Sequence, residues 1–290
     1  MQAIAHRGWR RHADVRVATR PVPAVHGDRF PGAVITGALR AGEFIAAASR
    51  TAADGTGHVD PAADAVQQSH AIMGSLEADL EAVGASLQDS VKMEGYYFGT
   101  TRAEWAPLAR ARAAHFREPG TPATVVPCHA LWPRGALTKI EVMAVRERRH
   151  GFDKYVPRED SWPARVWDWP IPLPYRQGIR LRDTIWLGGQ VPSEPFANSG
   201  QRVHPGDLPA QTRYTMSYVD DILRGFGRRA ADLRLAVCYF RSTGAPAETR
   251  AFVDVLAECI GGPLPPVTLV PQPHMHTPES TIEIWGIAEG

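Results

Sequence analysis

The stretch that decides the fold of this 290-residue chain is Leu80–Thr100, "LEAVGASLQDSVKMEGYYFGT", because it returns as Leu223–Thr243, "LRGFGRRAADLRLAVCYFRST". Aligned, Gly84 meets Gly227, Asp89 meets Asp232 and Tyr96 meets Tyr239. Each copy reads as the end of a helix, a glycine cap, a short polar loop and a strand. Self-similarity of this kind signals an internal repeat.

The flanks repeat as well. Val66, Met73, Leu76, Leu80 and Val83 recur at helical spacing, as do Thr212, Met216, Val219, Leu223 and Phe226. Each set forms one apolar stripe, as expected for a helix lying on a sheet. Further upstream, "LRAGEFIAAAS" (Leu39–Ser49) and "IRLRDTIWLGG" (Ile179–Gly189) each read as strand, charged turn, strand. Downstream, a second helix is predicted over Trp105–Phe116 in one copy and Ala247–Ile260 in the other. A Pro-marked strand and a final alternating strand follow, "TKIEVMAV" (Thr138–Val145) and "STIEIWGI" (Ser280–Ile287). One copy is therefore β-β-α-β-α-β-β, the size of a single small domain. The predicted organisation is an arm over 1–30, a first domain over 31–150, a Trp- and Pro-rich linker over 151–172 and a second domain over 173–290.

Composition narrows the function. Hydrophobic residues are 44% and charged residues 22%, the balance of a packed globular chain. The net charge of +1 gives no field to attract nucleic acid or an anionic membrane, so neither is an expected partner. Cys128, Cys238 and Cys259 are too few and too scattered for a disulfide framework or a zinc knuckle, and isolated thiols suit a reducing, cytoplasmic interior. The first residues have no apolar stretch of the secretory type. No segment approaches the ~18 consecutive apolar residues of a membrane span.

The second copy carries "PYRQGIRLRDTIWLGGQVP" (Pro174–Pro192), "QTRYTMSYVDDILRGFG" (Gln211–Gly227), "VCYFRS" (Val237–Ser242) and "TIEIWGIA" (Thr281–Ala288). In this order they resemble the RidA/YjgF family, whose pattern is a Pro-Tyr-Ser-Gln stretch, a Gly-Asp hairpin, Ser-Gly-Gln-Val, an AQT-type helix, a Gly-Ala-Ser-x-x-Asp loop and an Ile-Glu-Ile-Glu strand. The first copy resembles it through "LRAGEFIAAAS", "VGASLQDSVK", "GTPATVV" and "KIEVMAV". The resemblance covers about Val34–Ala288. It implies an α+β chain of two tandem chorismate-mutase-like domains, each a mixed sheet with two helices on one face. It also implies trimer-type packing of such units in a homo-oligomer, pockets between adjacent units, a small-molecule substrate, and no metal or organic cofactor. Many members hydrolyse enamines or imines derived from amino acids.

The resemblance also assigns residues. The family's carboxylate-binding arginine belongs where this chain has Thr124 in the first copy and Val267 in the second, so both copies lack it. Arg241 and Arg176 are the candidate replacements. Tyr175 matches the family tyrosine, Gly189 and Gln190 match the Gly-Gln strand, and Glu283 matches the glutamate that positions or activates water. The first copy keeps only Glu141 of this set; Ile35, Ser49 and Arg50 replace the tyrosine and the Gly-Gln pair. Glu141 and Thr124 would thus mark an eroded secondary site. The expected catalytic residues are Glu283 and Tyr175, and the expected binding residues are Gly189, Gln190, Arg241, Val267 and His274.

Plainer readings stand beside these. Glu283 alternates with Ile282 and Ile284, which is also the pattern of a solvent-facing carboxylate on a half-buried strand. Tyr175 can be a packed aromatic. His274 and His276 share a strand face and could seat a metal, but no third ligand follows at a recognisable spacing. They could equally lie on a Pro-rich surface loop, or line a pocket as acid or base. Three functions follow: a diverged enamine or imine hydrolase with Glu283 as acid/base; a chorismatase-like hydrolase or lyase, since chorismatases also resemble fused YjgF-like pairs, with Arg213, Arg241 and Arg250 as candidate carboxylate ligands; and a non-catalytic binding or scaffold protein.

Overall fold

A computed structural model describes residues 15–21, 34–146, 159–161, 166–195 and 200–290. Most of the expected arm and linker lie outside the described residues. Within the first, Val15–Pro21 forms β1. The first repeat follows as β2 (Val34–Ala41), β3 (Phe44–Arg50), α1 (Ala65–Ala82), β4 (Ser90–Phe98), α2 (Arg102–Ala113), β5 (Ala123–Cys128) and β6 (Thr138–Val145). After the short β7 (Glu159–Ser161), the second repeat is β8 (Gly178–Leu181), β9 (Thr184–Leu187), α3 (Leu208–Gly225), β10 (Leu233–Arg241), α4 (Pro246–Ile260), β11 (Val267–Gln272) and β12 (Ile282–Glu289). The β-β-α-β-α-β-β order expected of each copy is the order observed.

The aligned glycines and aspartates have matching jobs. Gly84 and Gly227 take left-handed φ values of 78° and 74° past the ends of α1 and α3. The next N–H groups, of Ala85 and Arg228, then fold back to the Leu80 and Leu223 carbonyls at 2.9 and 2.8 Å. Asp89 accepts from the Ser86 N–H at 2.8 Å and Asp232 from the Arg229 N–H at 2.9 Å. Each pair closes one 3-10 turn before a strand. α2 begins three residues before its predicted start. Thr101 and Glu104 form a reciprocal capping box there, which the apolar spacing alone did not reveal.

The strand orders are β1-β2-β3-β6-β4-β5 and β11-β10-β12-β9-β8-β7. In the second sheet β10 runs parallel to β11 and antiparallel to β12, so that sheet is mixed. Residue contacts divide the chain into two compact units, Met1–Met93 with Leu131–Val156 and Glu94–Ala130 with Pro157–Gly290. The division falls inside β4. The second unit therefore holds the whole second repeat together with the end of β4, α2 and β5 of the first.

In the first unit, α1 buries Ile72, Met73, Leu76 and Leu80 against its sheet. In the second, α3 and α4 cover one sheet face. Met216, Val219, Leu223, Phe252 and Leu256 from the helices meet Cys238, Phe240, Ile282 and Ile284 from the strands in one buried cluster. Burial of this apolar surface is the main favourable term holding the unit together.

Candidate active site

Glu283 stands on β12 between two core isoleucines. Ile282 and Ile284 face the helix-covered core, so Glu283, one residue out of phase, faces the other way. That second face is also covered, and Glu283 is only 4% exposed. Tyr239, its register partner on β10, and Trp285 lie on the same face. Their O–H and N–H groups both donate to the buried Glu94 Oε1, at 2.8 and 2.7 Å. This side of the sheet is a second, polar interior. Burial pushes the Tyr239 phenol well above its ordinary range, and the neighbouring Glu94 carboxylate adds to the effect.

The Glu283 carboxylate has two distinct sides. Oε2 lies 2.6 Å from His276 Nε2. The other ring nitrogen, Nδ1, lies 3.3 Å from the hydroxyl of the fully buried Tyr97. Burial, and then the charge of Glu283, raises the Tyr97 phenol above its ordinary value. Oε1 lies over Gly189, where a side chain would have no room: a Cβ there would stand 2.0 Å from it. Strand pairing sets this approach. The Gln190 N–H donates to the Ile284 carbonyl at 2.7 Å and the Ile284 N–H returns to the Gln190 carbonyl at 2.9 Å.

Glu283, His276 and Gly189 line a cavity of about 80 Å3. Its apolar walls are Trp105, Trp167, Trp169, Tyr175 and Val125, a composition usual for small-molecule sites. Two arginines also line it. Arg202 donates to the Ser280 hydroxyl at 2.5 Å, to the Ser193 hydroxyl and to the Gly200 carbonyl. Arg112, in the last turn of α2, is fully buried, and among the described residues Nε and both terminal nitrogens have no well-formed hydrogen bond. The Tyr175 hydroxyl is buried beside it, also without a hydrogen bond of proper geometry. Burial raises the Tyr175 phenol to about 12, with the Arg112 charge opposing the shift. Among the described residues, no group of three His, Cys, Asp or Glu side chains converges as a metal ion would require, and no helix is long and apolar enough to cross a membrane.

No protein-family model matches the chain. A RutC family protein of Sulfurisphaera tokodaii is 29% identical over 73 residues, 25% of this chain and 56% of that protein. The chain thus spans about half the length of this curated relative. Among solved structures, a chorismatase is 15% identical with a TM-score of 0.56, covering 87% of this chain and 74% of that one. The YjgF gene product of E. coli is 21% identical with a TM-score of 0.38, covering 45% of this chain and 98% of that one. E. coli TdcF with bound serine is 19% identical with a TM-score of 0.39, covering 46% and 98%.

The fold is similar to that of the chorismatase, over 87% of this chain.

Within this frame, the residues singled out from sequence separate into groups. Glu283, Tyr175 and Gly189 meet at the cavity. Thr124 on β5 is buried just behind it, its hydroxyl 2.9 Å from where a Gly189 Cβ would be. Gln190 is fully buried but does not line the cavity. It accepts from Trp167 Nε1 at 3.1 Å and donates to Gln177 Oε1 at 2.7 Å and the Gly188 carbonyl at 3.2 Å, which occupies its amide. Arg241 is tied to the Pro278 and Gly206 carbonyls at 2.6 and 3.3 Å, away from the cavity. Arg176 pairs with Glu118 at the surface, 3.0 Å away. Val267 packs at the edge of the helix-side core. His274 is exposed, its ring 4.1 Å from that of His129, while its neighbour His276 is the histidine that reaches Glu283. Glu141 is half-buried on β6 in the first unit.

Arg112, Arg202 and Trp105 were not singled out. Arg112 did leave a signal: it follows Leu108 by four residues and Ala109 by three, which places a guanidinium in phase with two buried apolar side chains. A charge on the apolar stripe of a helix marks a polar interior on the far side.

Proposed function

We propose that the cavity of the second unit is the active site of a diverged RidA-type small-molecule enzyme, with Glu283 as the general acid/base. The observation that carries this reading is the carboxylate itself. It is buried, it is oriented by His276 through Oε2, and Oε1 lies over a glycine in an aromatic-walled cavity. A fixed carboxylate within reach of a bound water is the arrangement general-base chemistry needs.

The reaction that fits is hydrolysis of an enamine or imine. Glu283 takes a proton from water as the oxygen bonds to the imine carbon. It then passes that proton to nitrogen, and the carbinolamine collapses to a carbonyl compound and ammonia. His276 fixes the carboxylate and spreads its charge, while the Tyr175 hydroxyl supplies a donor across the cavity. A second reading, protonation of an enol ether by the same glutamate in a chorismatase-like hydrolase or lyase, is favoured by two arginines lining the cavity and by a fold likeness that spans both repeats.

The test is ammonia release from imines generated in situ, and pyruvate release from chorismate, by the wild type and Glu283→Gln. Loss of general acid/base catalysis should lower turnover roughly 100- to 10,000-fold. Ammonia release that depends on Glu283 supports the first reading, and pyruvate release the second. Turnover that Glu283→Gln leaves untouched removes both.

A further inference from the structure

The least comfortable group in the second unit is Arg112. A guanidinium does not give up its proton inside a protein, so this residue carries a full positive charge with no exposure, and among the described residues the neutral Tyr175 hydroxyl beside it is the nearest polar partner, with no carboxylate paired to any of its three nitrogens. An isolated buried charge is strongly unfavourable unless something pairs with it. The carboxylate in the same cavity does not do so: Glu283 Oε2 is bonded to His276, and no hydrogen bond joins Glu283 to Arg112. The flat guanidinium fork matches the two oxygens of a carboxylate, and one carboxylate would balance one charge. A second carboxylate would find only Arg202, whose Nε and one terminal nitrogen are already committed to protein oxygens.

The walls beside Arg112 restrict what carries that carboxylate. Trp167 and Trp169 meet edge to face at 5.3 Å, Trp169 and Tyr175 at 6.0 Å, and Tyr175 and Phe116 at 6.1 Å. Trp105, Trp167, Trp169 and Tyr175 of this set line the cavity itself, and Phe116 backs Tyr175 from behind. A short aliphatic acid would leave those faces without contact, whereas a flat ring satisfies them by stacking or edge contact. Resting on the reading of this cavity as a substrate site, we infer that Arg112 anchors the carboxylate of a planar, ring-bearing monoanion, an aromatic carboxylate in class, with its ring against Trp105 and Trp169. The anion anchor comes from a helix of the first repeat, whereas the strand positions Thr124 and Val267 supply none.

Thermal shift and equilibrium binding of benzoate, benzamide and 2-oxobutanoate test this on the full chain. Benzoate should raise the melting temperature more than 2-oxobutanoate, and uncharged benzamide should leave it unchanged. Arg112→Met should abolish the benzoate shift and, by removing an unpaired buried charge, should itself melt higher than the wild type without ligand. Arg112→Lys keeps the charge without the fork and should bind benzoate roughly 10- to 100-fold more weakly. Trp169→Leu should weaken benzoate and leave 2-oxobutanoate unchanged. Equal shifts by benzoate and benzamide, or an Arg112→Met protein that melts lower and still binds benzoate, would overturn the anion anchor. Should Arg112→Met fail to fold, unchanged benzoate affinity in Arg112→Lys does the same. Tighter binding of 2-oxobutanoate than of benzoate overturns the aromatic class, and a wild type that binds none of the three overturns the inference outright. These arms need no turnover. A Glu283→Gln protein that binds benzoate like the wild type but has normal activity would sink the acid/base reading and leave the anion anchor standing.

Discussion

The Glu283 carboxylate occupies the space that a side chain at Gly189 would need: a Cβ there would lie 2.0 Å from Oε1 and 2.9 Å from the carboxylate carbon. Thr124 Oγ1 closes the same space from β5, also at 2.9 Å. The glycine is therefore required by what faces it.

Gly189→Ala should accordingly displace Glu283 rather than merely crowd it. Overpacking of this kind costs about 1–3 kcal/mol. The expected outcome is a lower urea midpoint at unchanged slope, together with a loss of turnover larger than the stability change explains. An alanine variant with wild-type midpoint and activity would show that Glu283 has another place to go.

His276 and Glu283 should behave as one unit. Glu283 is buried and His276 partly so, with side-chain exposures of 5% and 14%, and each holds the other in place at 2.6 Å. His276→Phe leaves Oε2 without its donor, a loss of about 1–3 kcal/mol. In Glu283→Gln the same substitution should cost visibly less. A double-mutant cycle on urea unfolding should therefore give a coupling energy of about 0.5–3 kcal/mol. Strict additivity would mean that the contact contributes nothing to the folded state.

Alkaline pH should expose the buried tyrosines. The Tyr175 phenol is raised by burial from 10.0 to about 12. Below pH 10 both folded and unfolded chains keep this proton, and nothing is lost. Between 10 and about 12 the unfolded chain has released it and the folded chain has not, so stability falls by about 1.4 kcal/mol per pH unit for this group. Tyr97 and Tyr239 are shifted in the same direction and add to the fall. Phenolate absorbance should rise in two steps, an early one from tyrosines near their ordinary value and a late one coincident with unfolding. Tyr175→Phe should flatten the stability loss over this window; an unchanged slope would show that its phenol titrates normally.

Much of the architecture was legible in the chain because its determinants are local. Gly84 and Gly227 stop helices through bonds that reach three residues back from the glycine and five back from the residue after it, and Asp89 and Asp232 close their turns on the third residue before them. Such contacts recur whenever the spacing recurs, so the repeat could be read without coordinates. The stripes of α1 and α3 were equally open to view, since a 3.6-residue period marks the buried side of a helix.

The site was only half legible. The alternation Ile282, Glu283, Ile284 states that the glutamate and the isoleucines occupy opposite faces of β12, and nothing in that period says whether the second face meets water or protein. The fold decides this. Tyr97 from the end of β4, Arg112 from α2 and Ala123 and Val125 from β5 belong to the same compact unit as Glu283, though they come from the other repeat in the chain. Likewise the expected arginine positions, Thr124 and Val267, lie on strands, while of the two guanidiniums that line the cavity Arg112 stands on a helix. Helix stops, turns and strand faces follow from neighbours a few residues apart; the environment of Glu283 and the presence of Arg112 beside Tyr175 follow from packing between distant segments, which no local period records.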